Sequence, residues 1–243
     1  MKQSSFSVVF EDPYLLVVDK AAGIHTAPLR QGERGTLLDE VVEKFPEIAR
    51  LGGIKAVEPG LLHRLDRETS GLVVFARSAE AFDSLRDQFA NGRAIKHYHA
   101  ISGSAAGKEA RGGPLLIESR FAPYGPGRKR IRVVLPGQAG TRVLRKCAPG
   151  IYHTRAEAIP LRDGFFLVRA TIARGFRHQV RAHLSFLGYP IVGDPLYGIP
   201  VPNGSAGRMY LHASGIDILH PATGLPLSVS LELPREFQAY APA

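Results

Sequence analysis

The chain has 243 residues, 44 % hydrophobic and 22 % charged, with a net charge of +9, a balance that predicts a sizeable core and excludes wholesale disorder. No apolar run approaches the length of a membrane span, and the opening Met1-Lys2-Gln3-Ser4-Ser5-Phe6 lacks the apolar heart of a secretory signal. Cys147 is the only cysteine, which excludes an intramolecular disulfide framework and a cysteine-rich zinc site; a reducing, cytoplasmic setting is expected.

Residues 8–10 and 15–19 read as short strands joined by the turn sequence Glu11-Asp12-Pro13. A helix is predicted over 37–45, capped by Thr36, with Leu37, Leu38, Val41, Val42 and Phe45 as its apolar stripe. Residues 72–76 form a buried-type strand, after which Ser78 caps a helix whose Phe82, Leu85 and Phe89 share one face and which ends near Asn91-Gly92. In the strand predicted over 94–102, Lys96, Tyr98 and Ala100 fall on one face and His97 and His99 on the other. Strands follow at 131–135 and 165–173, then a helix over 178–187 closed by Gly188, then strands at 211–218 and 227–233. This mixture without a βαβ repeat predicts an α+β fold, a mixed, largely antiparallel central sheet flanked by helices and loops. Residues 103–164, rich in Gly and Pro, are expected to be the least regular part, an insertion or arm.

That arm holds the charge. Between Ser119 and Ala156 lie Arg120, Arg128, Lys129, Arg130, Arg132, Arg142, Arg145, Lys146 and Arg155 without a single acid, and the rest of the chain is neutral. Arginine forks match phosphate oxygens, so a polyanion-binding surface is preferred to an ordinary solvated charge run. Nucleic acid is the obvious polyanion.

The chemistry concentrates in Leu62-His63-Arg64-Leu65-Asp66-Arg67-Glu68-Thr69-Ser70-Gly71, just before a buried strand. Read from its residues alone, Asp66 is more simply a loop carboxylate bonding its own backbone. The run from His63 to Gly71 resembles the His-Arg-Leu-Asp-x-x-Thr-Ser-Gly signature of the RluA-type RNA pseudouridine synthases. The resemblance continues in Leu15-Leu16-Val17-Val18-Asp19-Lys20, Lys96-His97-Tyr98-His99-Ala100, His178-Gln179-Val180-Arg181-Ala182-His183, Gly193-Asp194-Pro195-Leu196-Tyr197-Gly198 and Leu211-His212-Ala213. Departures are Lys20-Ala21-Ala22-Gly23 for the usual Lys-Pro-Ala-Gly and Gly175-Phe176-Arg177-His178 for Gly-Arg-Thr-His.

The resemblance implies a single catalytic domain over 1–243 with an active-site cleft, without the small N-terminal RNA-binding domain of many relatives. It implies an isomerase that breaks the bond from uracil N1 to C1′ and joins C5 to C1′, needing neither redox cofactor nor metal. Asp66 is implied as the catalytic carboxylate, acting as nucleophile or as base at the sugar. Arg181 is implied as its basic partner, and Tyr98 as the tyrosine that packs on the uracil. Arg64 is implied to fill the space left by the flipped base, with His63 and Arg67 beside it on the substrate, while the acid-free basic stretch itself assigns Arg128, Lys129 and Arg130 to phosphate. The partner is expected to be an RNA stem-loop of ribosomal or transfer RNA, the protein a monomer.

Three rival readings fit the sequence less well. A non-catalytic RNA-binding protein of the same fold predicts a disabled catalytic set, whereas Asp66, Tyr98 and Arg181 are all present. A metal site is disfavoured because His178 and His183 are five apart, off one helical face. A glycoside hydrolase using Asp66 and Glu68 leaves the basic stretch unexplained.

Overall fold

The computed structural model describes residues 4–30, 32–104, 112–202 and 208–240. The chain divides into two compact units, the first made of 1–97 and 212–232 and the second of 98–211 and 233–243. Both are largely antiparallel sheets with few helices, the first also holding a parallel pair, as the α+β reading expects. Among the described residues no helix is long and apolar enough to cross a membrane.

In the first unit, β1 (Phe6–Glu11) and β2 (Leu15–Lys20) form a hairpin whose turn is held by Asp12: its Oδ1 accepts from the amides of Tyr14 and Leu15 at 2.7 and 2.8 Å. Helix α1 (Leu37–Lys44) starts at a capping box in which Thr36 and Asp39 satisfy each other's backbone amides. Strand β3 (Ser70–Ala76), buried along its whole length, pairs antiparallel with β2, Lys20 facing Gly71. Ser78 caps α2 (Ala79–Ala90), which lays Phe82 and Leu85 on the same core as Leu15, Val17, Leu72 and Val74. Later in the chain β9 (Leu211–Leu219) pairs parallel with β3 and antiparallel with β10 (Pro226–Ser230). The last strand stops at Ser230 rather than at 233, where its ladder with β9 ends opposite Gly215.

Strand β4 (Ile95–Ser102) begins in the first unit and ends in the second, and from Lys96 to Ala100 its burial alternates as the sequence pattern requires. The second unit adds β5 (Gly113–Tyr124), β6 (Arg130–Val134), β7 (Tyr152–Pro160) and β8 (Phe166–Ile172), in the order β4-β8-β7-β5-β6. Residues 113–160, expected to be irregular, are therefore mostly paired strand: β5 lies antiparallel to both β6 and β7. Two short helices complete the unit, α3 (Thr141–Leu144) and α4 (Gln179–Leu187). The second was expected to start at His178, but that residue takes a left-handed conformation, φ 56°, and precedes the helix.

Gly71 shows why this motif position must be glycine. Its φ is +113°, and a Cβ there would sit 2.2 Å from the carbonyl oxygen of Ala213 on β9. Gly71→Ala should cost about 2–5 kcal/mol, strain plus overpacking, in chemical denaturation. Gly52→Ala, where a Cβ meets nothing, should stay within about 0.5 kcal/mol of wild type.

Candidate active site

The Asp66 loop is the turn of a hairpin. Residues 60–62 run antiparallel along β3, with Leu61 bridged to Phe75 and the Leu62 amide donating to Val74 at 3.2 Å. The chain then turns through 63–69, where the Thr69 amide closes on the Asp66 carbonyl at 3.1 Å. Both neighbours of Asp66 are fastened. Thr26 grips Leu65 twice, its hydroxyl donating to the Leu65 carbonyl at 2.8 Å and accepting from the Leu65 amide at 3.1 Å. Arg67 is fixed on the other side: its carbonyl accepts from the Gly23 amide at 2.8 Å and from Lys20 Nζ at 3.3 Å. Its own Nε donates to the Gly23 carbonyl at 3.0 Å. The carboxylate of Asp66 is thus carried by a backbone with little freedom on either side.

The remaining predicted residues of this loop divide by burial. Arg64 reaches outward and pairs with the buried Glu58 at 3.3 Å. His63 turns inward: Nε2 accepts from the Val74 amide at 3.2 Å, and the ring stacks on Phe89 with centroids 5.0 Å apart. Burial pushes its imidazole down to about 3, with the nearby Lys96 adding to the shift, so it is neutral at pH 7. Lys20 and Thr26 were not named by sequence; the only signal was Lys20's place at the end of the opening strand motif.

In the second unit Tyr98 lies on the buried face of β4. Arg181, on α4 and only 2 % exposed, makes a fork on Asp194: Nε to Oδ2 at 2.8 Å and Nη2 to Oδ1 at 2.7 Å. Asp194 Oδ1 also accepts from the amides of Leu196 and Tyr197, closing a tight turn that sets the Tyr197 ring 5.5 Å from the guanidinium. Burial alone would raise the Asp194 carboxyl, but the bonds and charge of Arg181 and the two amides outweigh it and hold it below its ordinary 3.8. Sequence marked Asp194 only as part of a landmark and gave it no role.

The helix bearing Arg181 is pinned from below by its other polar residues. Gln179 donates to the His153 carbonyl at 2.9 Å, and His183 links Ser119 at 2.8 Å with Thr154 at 2.7 Å. Desolvation drives His183 down to about 3, which keeps it a neutral strut. The same region meets the basic hairpin. The Arg128 carbonyl accepts from Arg177 at 2.8 Å, and the Ile131 amide donates to the Tyr197 hydroxyl at 2.7 Å. Arg128, Lys129 and Arg130 stand exposed at the turn from β5 to β6, with Arg132 continuing their face. The structure therefore ties the exposed turn from Arg128 to Arg132 to the turn at 194–198 that holds Arg181. It gathers His63, Arg64, Asp66 and Arg67 on one loop of the first unit.

Arg181→Met should destabilise the protein by about 3–5 kcal/mol, because it leaves a buried carboxylate without its partner. Asp194→Asn should cost less, since the amide oxygen still accepts from the turn. Because the folded Asp194 carboxyl titrates below 3.8, the stability it lends is complete above that pH and is lost as pH falls through the folded value. Denaturation midpoints should thus be insensitive to this pair from pH 5 to 8. Below pH 4 wild type should lose more stability than Asp194→Asn.

Residues 14–186 match the family model described as RNA pseudouridylate synthase. The chain is 31 % identical over 242 residues to the ribosomal large subunit pseudouridine synthase D of Pseudomonas aeruginosa, covering 95 % of this chain and 69 % of that protein. It is 34 % identical over 220 residues to an uncharacterized RNA pseudouridine synthase of Chloroflexus aurantiacus, covering 90 % of this chain but 63 % of the relative. The solved structure titled human RNA pseudouridylate synthase domain containing 4 aligns with a TM-score of 0.67 at 21 % identity over 95 % of this chain and 89 % of that one, a likeness of fold. With the family model spanning most of the chain and its signature loop complete, the protein belongs to the RNA pseudouridylate synthases, RluA type, a family of isomerases acting on RNA.

Proposed function

We propose that the protein isomerises uridine to pseudouridine in ribosomal RNA, in the cytoplasm, as a monomer, with Asp66 as nucleophile. The observation that carries this reading is the Asp66 loop: a complete family signature whose central carboxylate is flanked on both sides by fastened backbone. Ribosomal RNA is preferred to transfer RNA because the relative from Pseudomonas aeruginosa is named for the large ribosomal subunit.

In this reading the target uridine leaves the stack, and the ionised Asp66 attacks C1′ as the bond to N1 breaks. The uracil turns, C5 bonds to C1′ as its bond to Asp66 breaks, and the proton lost from C5 is matched by one taken up at N1, so that the sum is an isomerisation. Tyr98 packs on the uracil and assists that last transfer, although a phenol of ordinary pKa, ~10, is a weak base without help. Arg181 partners Asp66, Arg64 enters the vacated stack, and the exposed cations from Arg128 to Arg132 hold phosphates. Their support is the family motif for the first two and exposure without intervening acids for the last.

Asp66→Asn keeps volume and loses negative charge. It should lower pseudouridine formation by more than about 10³-fold, as loss of a nucleophile does, while RNA affinity stays near wild type. Turnover close to wild type, read by mapping pseudouridine in ribosomal RNA, would remove Asp66 from the mechanism. Replacing Arg128, Lys129 and Arg130 together by Ala should flatten the slope of log affinity against log salt by up to about two units. An unchanged slope would leave these residues as solvated surface.

A further inference from the structure

Lys96 presents a problem that the reaction as described does not solve. Its residue is 7 % exposed, yet among the described residues its ammonium meets no hydrogen-bond acceptor and no ion-pair partner. It lies over the Phe89 ring, 5.5 Å from the centroid. A cation–π contact returns only part of the hydration such a group gives up on burial. The cost is visible in its titration, which desolvation brings down to about 8.

Beside it stands a second donor that lacks an acceptor. His63 Nε2 accepts from the Val74 amide, so the neutral ring carries its proton on Nδ1. That Nδ1 is buried and has no hydrogen-bond partner. The two side chains share Phe89, one stacked on it and one over it, and the lysine's charge itself depresses the histidine. A cationic donor and an N–H donor, close together and both lacking an acceptor, ask for an anionic oxygen. Among the described residues no Asp or Glu supplies it.

Resting on the reading that RNA is the substrate, we propose that Lys96 and His63 Nδ1 form a binding site for one phosphate oxygen of the RNA backbone. Of the groups RNA offers, only the phosphodiester is anionic; base carbonyls and ribose hydroxyls are neutral. The placement is apt, since His63 stands three residues before Asp66 in the same clamped loop. A nucleotide that swings out of its stack turns about its backbone, and a phosphate held at His63 fixes that backbone while the base moves.

The test separates a binding role from a packing role by measuring two quantities that move in opposite directions. Lys96→Met removes the charge at nearly constant volume. Built in an Asp66→Asn background, so that binding is read without turnover, it should weaken binding to a ribosomal RNA fragment about tenfold. The slope of log affinity against log salt should flatten by about 0.7. Meanwhile the melting temperature without RNA should rise, because an unpaired buried charge has gone. Lys96→Gln, which keeps polarity, should show the same flattened slope. A folded variant of either kind with an unchanged salt slope overturns the assignment, as does weaker binding with no change of slope, which would point to a neutral base contact. Failure of the Asp66→Asn parent to bind RNA would overturn the RNA reading and this one together.

Discussion

A single buried ammonium sets the geometry on which the Asp66 loop depends. Lys20 is 0 % exposed, and its Nζ donates to the carbonyls of Ala21, Ile24 and Arg67 at 2.8, 2.9 and 3.3 Å. Removing an ammonium from water costs several kcal/mol, and charge-assisted bonds return about 1.5–3 kcal/mol each. The two sides nearly cancel, so Lys20 adds little to overall stability. What it adds is specificity of position. It ties the turn after β2 to Arg67, while β2 itself is locked by register to β3, Lys20 opposite Gly71. Gly71 in turn lets β9 approach closely enough to pair. One cation, one glycine and one strand register therefore decide where the carboxylate stands.

The second unit uses buried charge in the same way. The fork between Arg181 and Asp194 is stabilising only relative to losing one partner; relative to an apolar pair it is close to neutral. It does, however, fix a guanidinium in one orientation and shape the turn that carries Tyr197. Tyr197 then reaches the Ile131 amide on β6, so the basic hairpin and α4 are built on shared contacts rather than joined by a loose linker. His183, buried and neutral between Ser119 and Thr154, completes the attachment.

Local rules made part of this legible in the sequence. Thr36 and Ser78 announced their helices because capping is a property of a few adjacent residues. The alternation of Lys96, Tyr98 and Ala100 with His97 and His99 gave the two faces of β4 because pleating has a period of two. The strands β5 and β7 were hidden for a definite reason. Their inward positions include Ser119 and Thr154, polar because they receive His183, while outward ones include Pro114 and Leu116. Hydrophobic alternation fails where a buried histidine must be satisfied. His178 misled for another reason: its left-handed backbone, unusual for a non-glycine, leaves no mark in composition. Asp66 became visible only through resemblance, since a loop Asp beside arginines has no local signature of catalysis.

The fork on Asp194 also changes what an experiment on Arg181 can mean. From sequence alone, an arginine proposed to partner Asp66 acts simply by holding and aiming it. In the structure one edge of that guanidinium, Nε and Nη2, is committed to a different carboxylate, and much of its charge is answered there. Activity lost on replacing Arg181 therefore includes the effect of a released Asp194 inside the fold. Lysine in its place keeps the charge but cannot reproduce a two-pronged contact with Asp194, so it too would disturb the turn at 194–198. Stability and turnover must therefore be read side by side at this position, and only a loss of rate beyond what unfolding explains speaks to chemistry at Asp66.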